Sequence, residues 1–533
     1  MSRVLLRHPH ILTGDSDSPV VTGLLLEGES ILAVGDAEAL GAEAGRVVDL
    51  PGTTVMPGLY DAHIHTANLA RDLVSVDLRG ARSLEEALDT LAVHVADLPQ
   101  DSWVFGGRWD SNKWATRRQP DRHDLDRVAP GRKVALPSID GHTTWASTAA
   151  LEAAGITRDS ADPVGGQVVR DADGVPTGIL REQAAMPLRA IMADPTSTTL
   201  DDVLDAAQDA LLSVGLTSVH DIDGEDCRAA YLRLRERGRL RLRVHKAIPV
   251  DALEGAVAEG RRTGDGDDWF GTGPVKLFSD GALGSRTAYL TVPYADDPSN
   301  RGMPVMGPEA LDATVRLATA NGIAVATHAI GDAAARTVLD TYEKVLADGD
   351  LPRMPNGLPL RLRVEHAQHL RPADVDRMAR LGVVASLQPT HCTSDIALAD
   401  ELLAGHDIVS YAWSQLLRAG ASVAFGSDAP VEEPNPFHGL YAAITRQRPD
   451  ATPAGGWQPE QRVSLGQAVA GFTTGAAYAA GQEGRKGRLS PGQLADLICI
   501  DRDPYAVTPV ELRETQVLAT YVGGECRWAA PNA

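Results

Sequence analysis

Short apolar runs of β-prone side chains recur along this chain, and most are followed by a stretch with helical spacing. Residues 53–65 form the first run. Residues 216–220, 241–248, 274–278, 323–327, 360–364, 383–387 and 422–425 continue the series, making eight in all. Between them, residues 200–214, 308–320, 333–346 and 373–381 place apolar side chains at helical intervals. Parallel strands are joined by crossover helices and, buried on both faces, read as continuous apolar runs. The pattern therefore predicts an α/β fold, a TIM (β/α)8 barrel with its function at the carboxyl ends of the strands. An open doubly wound sheet is the alternative. No Gly-x-Gly-x-x-Gly turn follows the first strand, which counts against a dinucleotide fold.

The two ends of the chain follow a different pattern. Residues 1–56 hold short apolar runs at 20–27, 30–34 and 47–50, separated by turns, with no helix of useful length. Residues 485–533 mirror them: Gly487-Arg488-Leu489-Ser490-Pro491-Gly492 is turn-rich, and 495–501 and 517–522 read as strands. The ends are expected to pair into one composite β-sandwich, leaving 57–484 as the barrel domain. Its first βα loop, residues 66–200, far exceeds an ordinary connection and is expected to form a large cap-like insertion over the barrel mouth. It carries Trp103, Trp109, Trp114 and Trp145, four of the chain's eight tryptophans. It also holds Asp140-Gly141-His142 and a Gly/Asp/Pro-rich stretch, 159–177, that reads as exposed turns or a hairpin.

Composition narrows the class. With 533 residues, 43% hydrophobic and 23% charged, the chain is globular. A formal net charge of -22 argues against nucleic acid and anionic membranes as partners and leaves a small-molecule substrate. The opening residues contain only a three-residue apolar run, Val4 to Leu6, too short for a secretory signal. No stretch approaches the ~20 apolar residues of a membrane helix. Cys227, Cys392, Cys499 and Cys526 are scattered without a Cys-x-x-Cys pair, which favours a reducing, cytoplasmic setting. Cys392 adjoins His391, but neighbours in an extended segment point apart, so they are not read as a nucleophile and its base.

Candidate chemistry gathers at the predicted strand ends. His63 and His65 lie at i and i+2 in a strand and so share a face, where imidazoles can bind metal; a polar strand face would look the same. Lys276 lies in strand four, while His328, His366 and Asp428 close strands five, six and eight. Lys276 sits in an apolar strand, where an ammonium is costly without a partner. Either it pairs with a carboxylate such as Asp280, or it is held neutral and adds carbon dioxide to become a carbamate able to bridge two metals. His220 and Asp221, closing strand two, are candidates to orient metal ligands or to bond across the barrel mouth.

Taken in order, Asp61-Ala62-His63-Ile64-His65, Lys276, His328, His366 and Asp428 resemble the amidohydrolase superfamily. Val275-Lys276-Leu277-Phe278-Ser279-Asp280-Gly281-Ala282-Leu283-Gly284-Ser285 resembles its amidohydrolase-3, or YtcJ-like, branch, which includes N-substituted formamide deformylases. Thr327-His328-Ala329-Ile330-Gly331-Asp332-Ala333, Arg363-Val364-Glu365-His366-Ala367-Gln368 and Asp140-Gly141-His142 are similar to that branch too. The resemblance implies two divalent metals per chain, zinc by default. His63, His65 and Asp428 would hold one, His328 and His366 the other, with carboxylated Lys276 bridging; a one-metal site without the bridge is the competitor. It implies cleavage of a non-peptide C–N bond, such as an N-substituted formamide, by metal-activated hydroxide, with Asp428 as general base and then acid.

Hydrolysis of a cyclic amide, carbamate or ester stays open, as does a non-catalytic binding or regulatory protein on the same fold. His142 is a candidate catalytic donor to the oxyanion, or substrate contact, or a packing residue beside Asp140. Arg286 is a candidate for a substrate carbonyl or carboxylate, or a surface ion pair. Trp109 and Trp114 are candidates for an apolar pocket or the insert's own core. His391, after strand seven, is a candidate substrate contact. A homodimer is implied by analogy with the superfamily.

Overall fold

The computed structural model describes residues 3–96, 98–101, 103–111, 114, 116, 118–138, 143–163, 166–188 and 200–531. Its central feature is an eight-stranded parallel sheet: β1 (Leu59–Ile64), β2 (Leu216–Asp221), β3 (Arg243–Pro249), β4 (Phe270–Phe278), β5 (Val325–Ala329), β6 (Leu362–His366), β7 (Val384–Leu387) and β8 (Val423–Phe425). Every expected run overlaps one of these strands. Each pairs with the next in chain order, and β1, β2 and β6 are buried along their whole lengths. Burial on both faces fits their apolar residues, although each also buries polar ones, such as Arg363 and Glu365 in β6. The sheet is nearly closed into a barrel. Beyond β8, the Asp428 amide donates to His63 O at 2.7 Å, and the His65 amide donates to Ala429 O at 2.9 Å. The helices Pro308–Ala320, Asp332–Ala347 and Pro372–Leu381 form three of the crossovers.

The run at 53–65 is two strands, not one. Thr54–Pro57 belongs to a different sheet, and the chain bends at Gly58 before entering β1. A side chain at Gly58 would meet Thr217 at 2.4 Å, so β1 and β2 approach too closely there for any larger residue. Both halves are buried, so they read as one strand, although the division falls beside the domain boundary expected between residues 56 and 57.

The two chain ends meet in a second, eight-stranded sheet. Its order runs Glu525–Ala529, Val517–Val522, Leu497–Ile500, Thr54–Pro57, Val4–Leu12, Val20–Glu27, Ser30–Gly35, with Arg46–Asp49 alongside Val4–Leu12. The junction is antiparallel, with Ile498 opposite Met56 and Cys499 opposite Val55. Leu6, Leu24, Ile31, Val55, Leu497 and Tyr521 belong to one hydrophobic core there. This sheet and the barrel belong to one compact unit.

Ala67–Leu204 forms the other compact unit. It has its own five-stranded sheet, in which Gly166–Arg170 and Pro176–Glu182 make the hairpin foreseen at 159–177. Trp109, Trp114 and Trp145 pack together in its core, with ring centroids 5.9 to 6.5 Å apart. Among the described residues, no helix is long and apolar enough to cross a membrane.

A candidate metal centre at the carboxyl ends of the strands

A cavity of about 550 Å³ lies at the carboxyl ends of the barrel strands. His63, His65, Lys276, His328, His366, His391 and Asp428 all line it, drawn from β1, β4, β5, β6 and the segments after β7 and β8. Asp428 is the hub. Its Oδ1 is 3.5 Å from His63 Nε2 and 3.4 Å from His65 Nε2, and its Oδ2 is 4.0 Å from His366 Nδ1 and 3.7 Å from His391 Nε2. The ring centroids of His63 and His366 are 4.8 Å apart, and those of His328 and His366 4.5 Å. His63, His366 and Asp428 bring ligand atoms within 4.8 Å of one another.

Backbone conformation aims two of these groups. His366 has φ 72° and Asp428 has φ 59°, both left-handed values uncommon outside glycine. In a regular strand His366 would face away from Glu365, and the turned backbone brings it back toward the cavity. Strain of this sort persists only where surrounding contacts over-determine it. At Asp428 those contacts run through Asp61: its carboxylate accepts from the His63 amide at 3.0 Å, the Ser427 amide at 3.0 Å and the Ser427 hydroxyl at 2.6 Å. A side chain at Gly426 would strike the His63 nitrogen at 2.5 Å, so glycine is required where β8 leaves the sheet beside β1.

Each of the four candidate imidazole ligands has one nitrogen bonded to an oxygen. His63 Nδ1 is 2.6 Å from Glu365 Oε2, and His65 Nδ1 is 2.8 Å from Asp223 Oδ1. His366 Nδ1 is 2.9 Å from Gln388 Oε1, and His328 Nε2 is 3.1 Å from Gly281 O. With the proton on the bonded nitrogen, the opposite nitrogen presents a lone pair, the arrangement metal-binding histidines adopt. Among buried polar atoms, His63 Nε2 and Lys276 Nζ have no hydrogen-bond partner. The donor set therefore fits a divalent metal.

The electrostatics agree. Burial, with Lys276 nearby, brings His63 down to about 4, and burial brings His328 down to about 3 and His366 far below its ordinary value. Those rings are neutral at neutral pH, as ligands must be. At His65 burial also disfavours charge, but Asp223 and Asp428 outweigh it and raise the ring to about 9. The two carboxylates that favour a proton on His65 favour a metal cation in the same place. Burial opposes the Asp428 charge, yet the surrounding histidines hold its carboxyl well below the usual range. Lys276 is 2% exposed. Burial lowers its amine to about 8 against the pull of Glu365 and Asp428.

The other candidate contacts differ in placement. Arg286 is absent from the described lining residues; its guanidinium pairs with Asp296 at 2.6 Å, and its side chain is 42% exposed. Trp109 is buried in the insert, with its indole N–H donating to Leu136 O at 2.8 Å. Lys276 makes no ion pair with Asp280, which instead accepts from the amides of Tyr289, Ile330 and Gly331. His142 lies outside the described residues. His391 lines the cavity, its Nδ1 3.4 Å from Gln368 Nε2.

The supporting groups escaped the sequence reading, above all Arg363 and Glu365. Arg363 Nε donates to Glu365 Oε1 at 2.8 Å, and its other nitrogens reach His220 Nδ1 at 2.6 Å and Ala62 O at 2.8 Å. Their signal was available: opposite charges at i and i+2 on one face of an otherwise apolar strand. His220 thus bonds within the barrel through Arg363, while Asp221 accepts from the Thr66 amide at 3.0 Å and pairs with Lys246 at 3.1 Å.

A model of the amidohydrolase family matches residues 46–527. The Arabidopsis thaliana protein Long After Far-Red 3 is 33% identical over 540 residues, spanning 98% of this chain and 91% of that protein. The N-substituted formamide deformylase of Arthrobacter pascens is 29% identical over 563 residues, spanning 99% of this chain and 98% of that enzyme. The crystal structure of an uncharacterized metal-dependent hydrolase from Pyrococcus horikoshii OT3 aligns with a TM-score of 0.78 at 29% identity, covering 95% of this chain and 99% of the other.

Proposed function

We propose that this chain, which belongs to the amidohydrolase family, is a metal-dependent hydrolase of a non-peptide C–N bond, with an N-substituted formamide or related amide as substrate. One observation carries the reading: four imidazoles with one nitrogen each bonded to an oxygen surround a carboxylate and a buried, unpartnered amine. His63, His65 and Asp428 would hold one divalent metal and His328 and His366 a second, with Lys276 carboxylated between them; zinc suits these nitrogen and oxygen donors. Bound metal supplies a Lewis acid and lowers the pKa of water towards ~7.

The protein's own groups do the rest. Asp428, kept ionised by its histidines, takes a proton from the attacking water and returns it to the leaving nitrogen as the C–N bond breaks. His391 Nε2, beside Asp428 Oδ2, is placed to contact the substrate or the oxyanion. His142 is proposed for the same role. The partner is a small molecule, in keeping with the net charge of -22. Four free cysteines support a reducing cytoplasm, and the superfamily analogy supports a dimer.

Metal analysis of protein purified without chelator is expected to give close to two equivalents per chain. A screen of formamides, other amides and lactams is expected to show metal-dependent turnover, abolished in Asp428→Asn while the fold persists by circular dichroism. Undiminished activity in Asp428→Asn removes its proton-transfer role. No turnover anywhere in the screen with metal loaded removes the hydrolase reading.

A further inference from the structure

The eight barrel strands carry two lysines, Lys246 in β3 and Lys276 in β4. Both are buried, and their amines have opposite surroundings. Lys276 Nζ, at the cavity, has no hydrogen-bond partner. Lys246 Nζ donates to the carbonyl oxygens of Asp223 and Ala247, the latter at 2.8 Å, and pairs with Asp221 Oδ1 at 3.1 Å. An ammonium has three protons to donate, and here three oxygens meet it. The strand register brings this about. Lys246 lies opposite Asp221 in the parallel pairing of β2 and β3, so their side chains share a face of the sheet. The residues just before them, His220 and His245, face the barrel interior with ring centroids 4.8 Å apart. Lys246 therefore points away from the interior, and it is not among the described residues lining the cavity.

The ammonium holds the turn that follows β2. Asp221 Oδ1 accepts from the Asp223 amide at 3.1 Å while Lys246 donates to the Asp223 carbonyl, so the backbone of Asp223 is tied on both sides. Its carboxylate then reaches His65 Nδ1 at 2.8 Å. Asp221, Asp223 and Cys227 also bring ligand-type atoms within 4.8 Å of one another. A cation already stands beside them. Lys246 occupies the Asp221 carboxylate and the Asp223 carbonyl, which makes the cluster a fixed support and not a further metal site.

We propose that Lys246 is a positioning residue for the metal centre: by holding the Asp221 carboxylate and the Asp223 carbonyl it aims Asp223 at His65, and so sets how tightly His65 binds metal. This rests on the proposed metal centre for the affinity, but not for the pairing of His65 with Asp223. Lys246 touches neither substrate nor metal. It acts through one carboxylate, so its effect on the metal vanishes once that carboxylate is gone.

The test is a double-mutant cycle on the zinc affinity of the full chain, read by competition with a chelator. Asp223→Asn is expected to weaken binding about 10- to 100-fold, as loss of the partner of a ligand histidine does. Lys246→Met keeps the length and loses the charge, and is expected to weaken binding by about fivefold or more. The double variant is expected to bind within about twofold of Asp223→Asn alone, whereas independent structural damage would multiply the two losses. Lys246→Met leaves the Asp221 carboxylate buried without its cation. Should that variant fail to fold, Lys246→Met with Asp221→Asn removes both charges together and repeats the measurement. A second readout needs no metal. In metal-stripped protein the His65 ring N–H bonded to Asp223 gives a proton resonance, assigned by its absence in His65→Asn, that is expected to shift or vanish in the Lys246 variant. Zinc affinity within about twofold of wild type in that variant, losses that multiply in the cycle, or an unchanged His65 resonance overturns the proposal. Wild-type protein that binds no divalent metal overturns the metal-centre reading instead, and the His65 resonance then decides the role of Lys246 by itself.

Discussion

Replacing Glu365 by glutamine tests whether the barrel interior, as well as the cavity wall, builds the metal site. Glu365 is buried between two partners, His63 Nδ1 at 2.6 Å and Arg363 Nε at 2.8 Å. Glutamine keeps the shape and removes the charge. Arg363, itself buried, then has His220, Ala62 O and Ser386 as neighbours but no anion. Leaving one member of a buried ion pair alone costs about 3–5 kcal/mol of stability. Losing the partner that orients a ligand histidine weakens metal binding about 10- to 100-fold, or about 1.4–2.8 kcal/mol.

The pH dependence has a definite sign. Burial works against the Glu365 charge, but Arg363 and His63 outweigh it and hold the carboxyl far below its usual range. Its contribution is therefore complete above the unfolded value of about 4.5 and is lost as pH falls towards the depressed folded value. The gap in melting temperature between wild type and Glu365→Gln is expected to be full at pH 7 and to narrow below about pH 4.5. Chelator competition reads the metal affinity, and thermal melts of metal-stripped protein read the stability. Glu365→Asp keeps the charge but shortens the reach, so it should retain more stability while still losing metal affinity. Metal affinity within twofold of wild type in both variants would refute the reasoning.

Two further outcomes are expected. Lys276→Ala should lower metal content from two equivalents to one, measured by elemental analysis, and Lys276→Glu should restore part of it by supplying a carboxylate; two equivalents retained in Lys276→Ala would exclude the bridge. Lys486 is buried, and burial together with Arg243 brings its amine down to about 7, below the unfolded value of about 10.4. The unfolded chain then binds the extra proton between those values, so stability rises with pH across that window. Lys486→Met should melt higher than wild type near pH 6, with the advantage shrinking towards pH 10. An advantage that stays constant with pH would show that Lys486 titrates normally.

The barrel was legible because parallel strands in its core are apolar on both faces, and because candidate ligands such as His328 and His366 sit at the ends of such runs. The pairings that hold the candidate ligands were not. His63 and Glu365 are 302 positions apart, and nothing local at either joins them. His65 finds Asp223 across 158 positions. Arg286 was left open between a substrate contact and a surface ion pair, and a carboxylate ten positions away, Asp296, takes the guanidinium. The bend at Gly58 was legible in part: the boundary between residues 56 and 57 falls beside it, but burial on either side made 53–65 read as a single strand.

That bend bears on how the protein is made. Thr54–Pro57 runs directly into β1, the strand that carries His63, and its outer neighbour is Leu497–Ile500. Beside this junction, the Thr53 hydroxyl donates to Asp501 O across 448 positions. A ribosome adding about 5–20 residues per second leaves that strand without its neighbour for about 20–90 s. Through that interval the nascent chain carries an unpaired edge of apolar residues, a template for pairing with other chains. Folding in the cell is therefore a race between completing synthesis and finding the wrong strand. Slowing elongation late in the message, or withdrawing chaperone cover, should reduce yield without changing the stability of the molecules that finish.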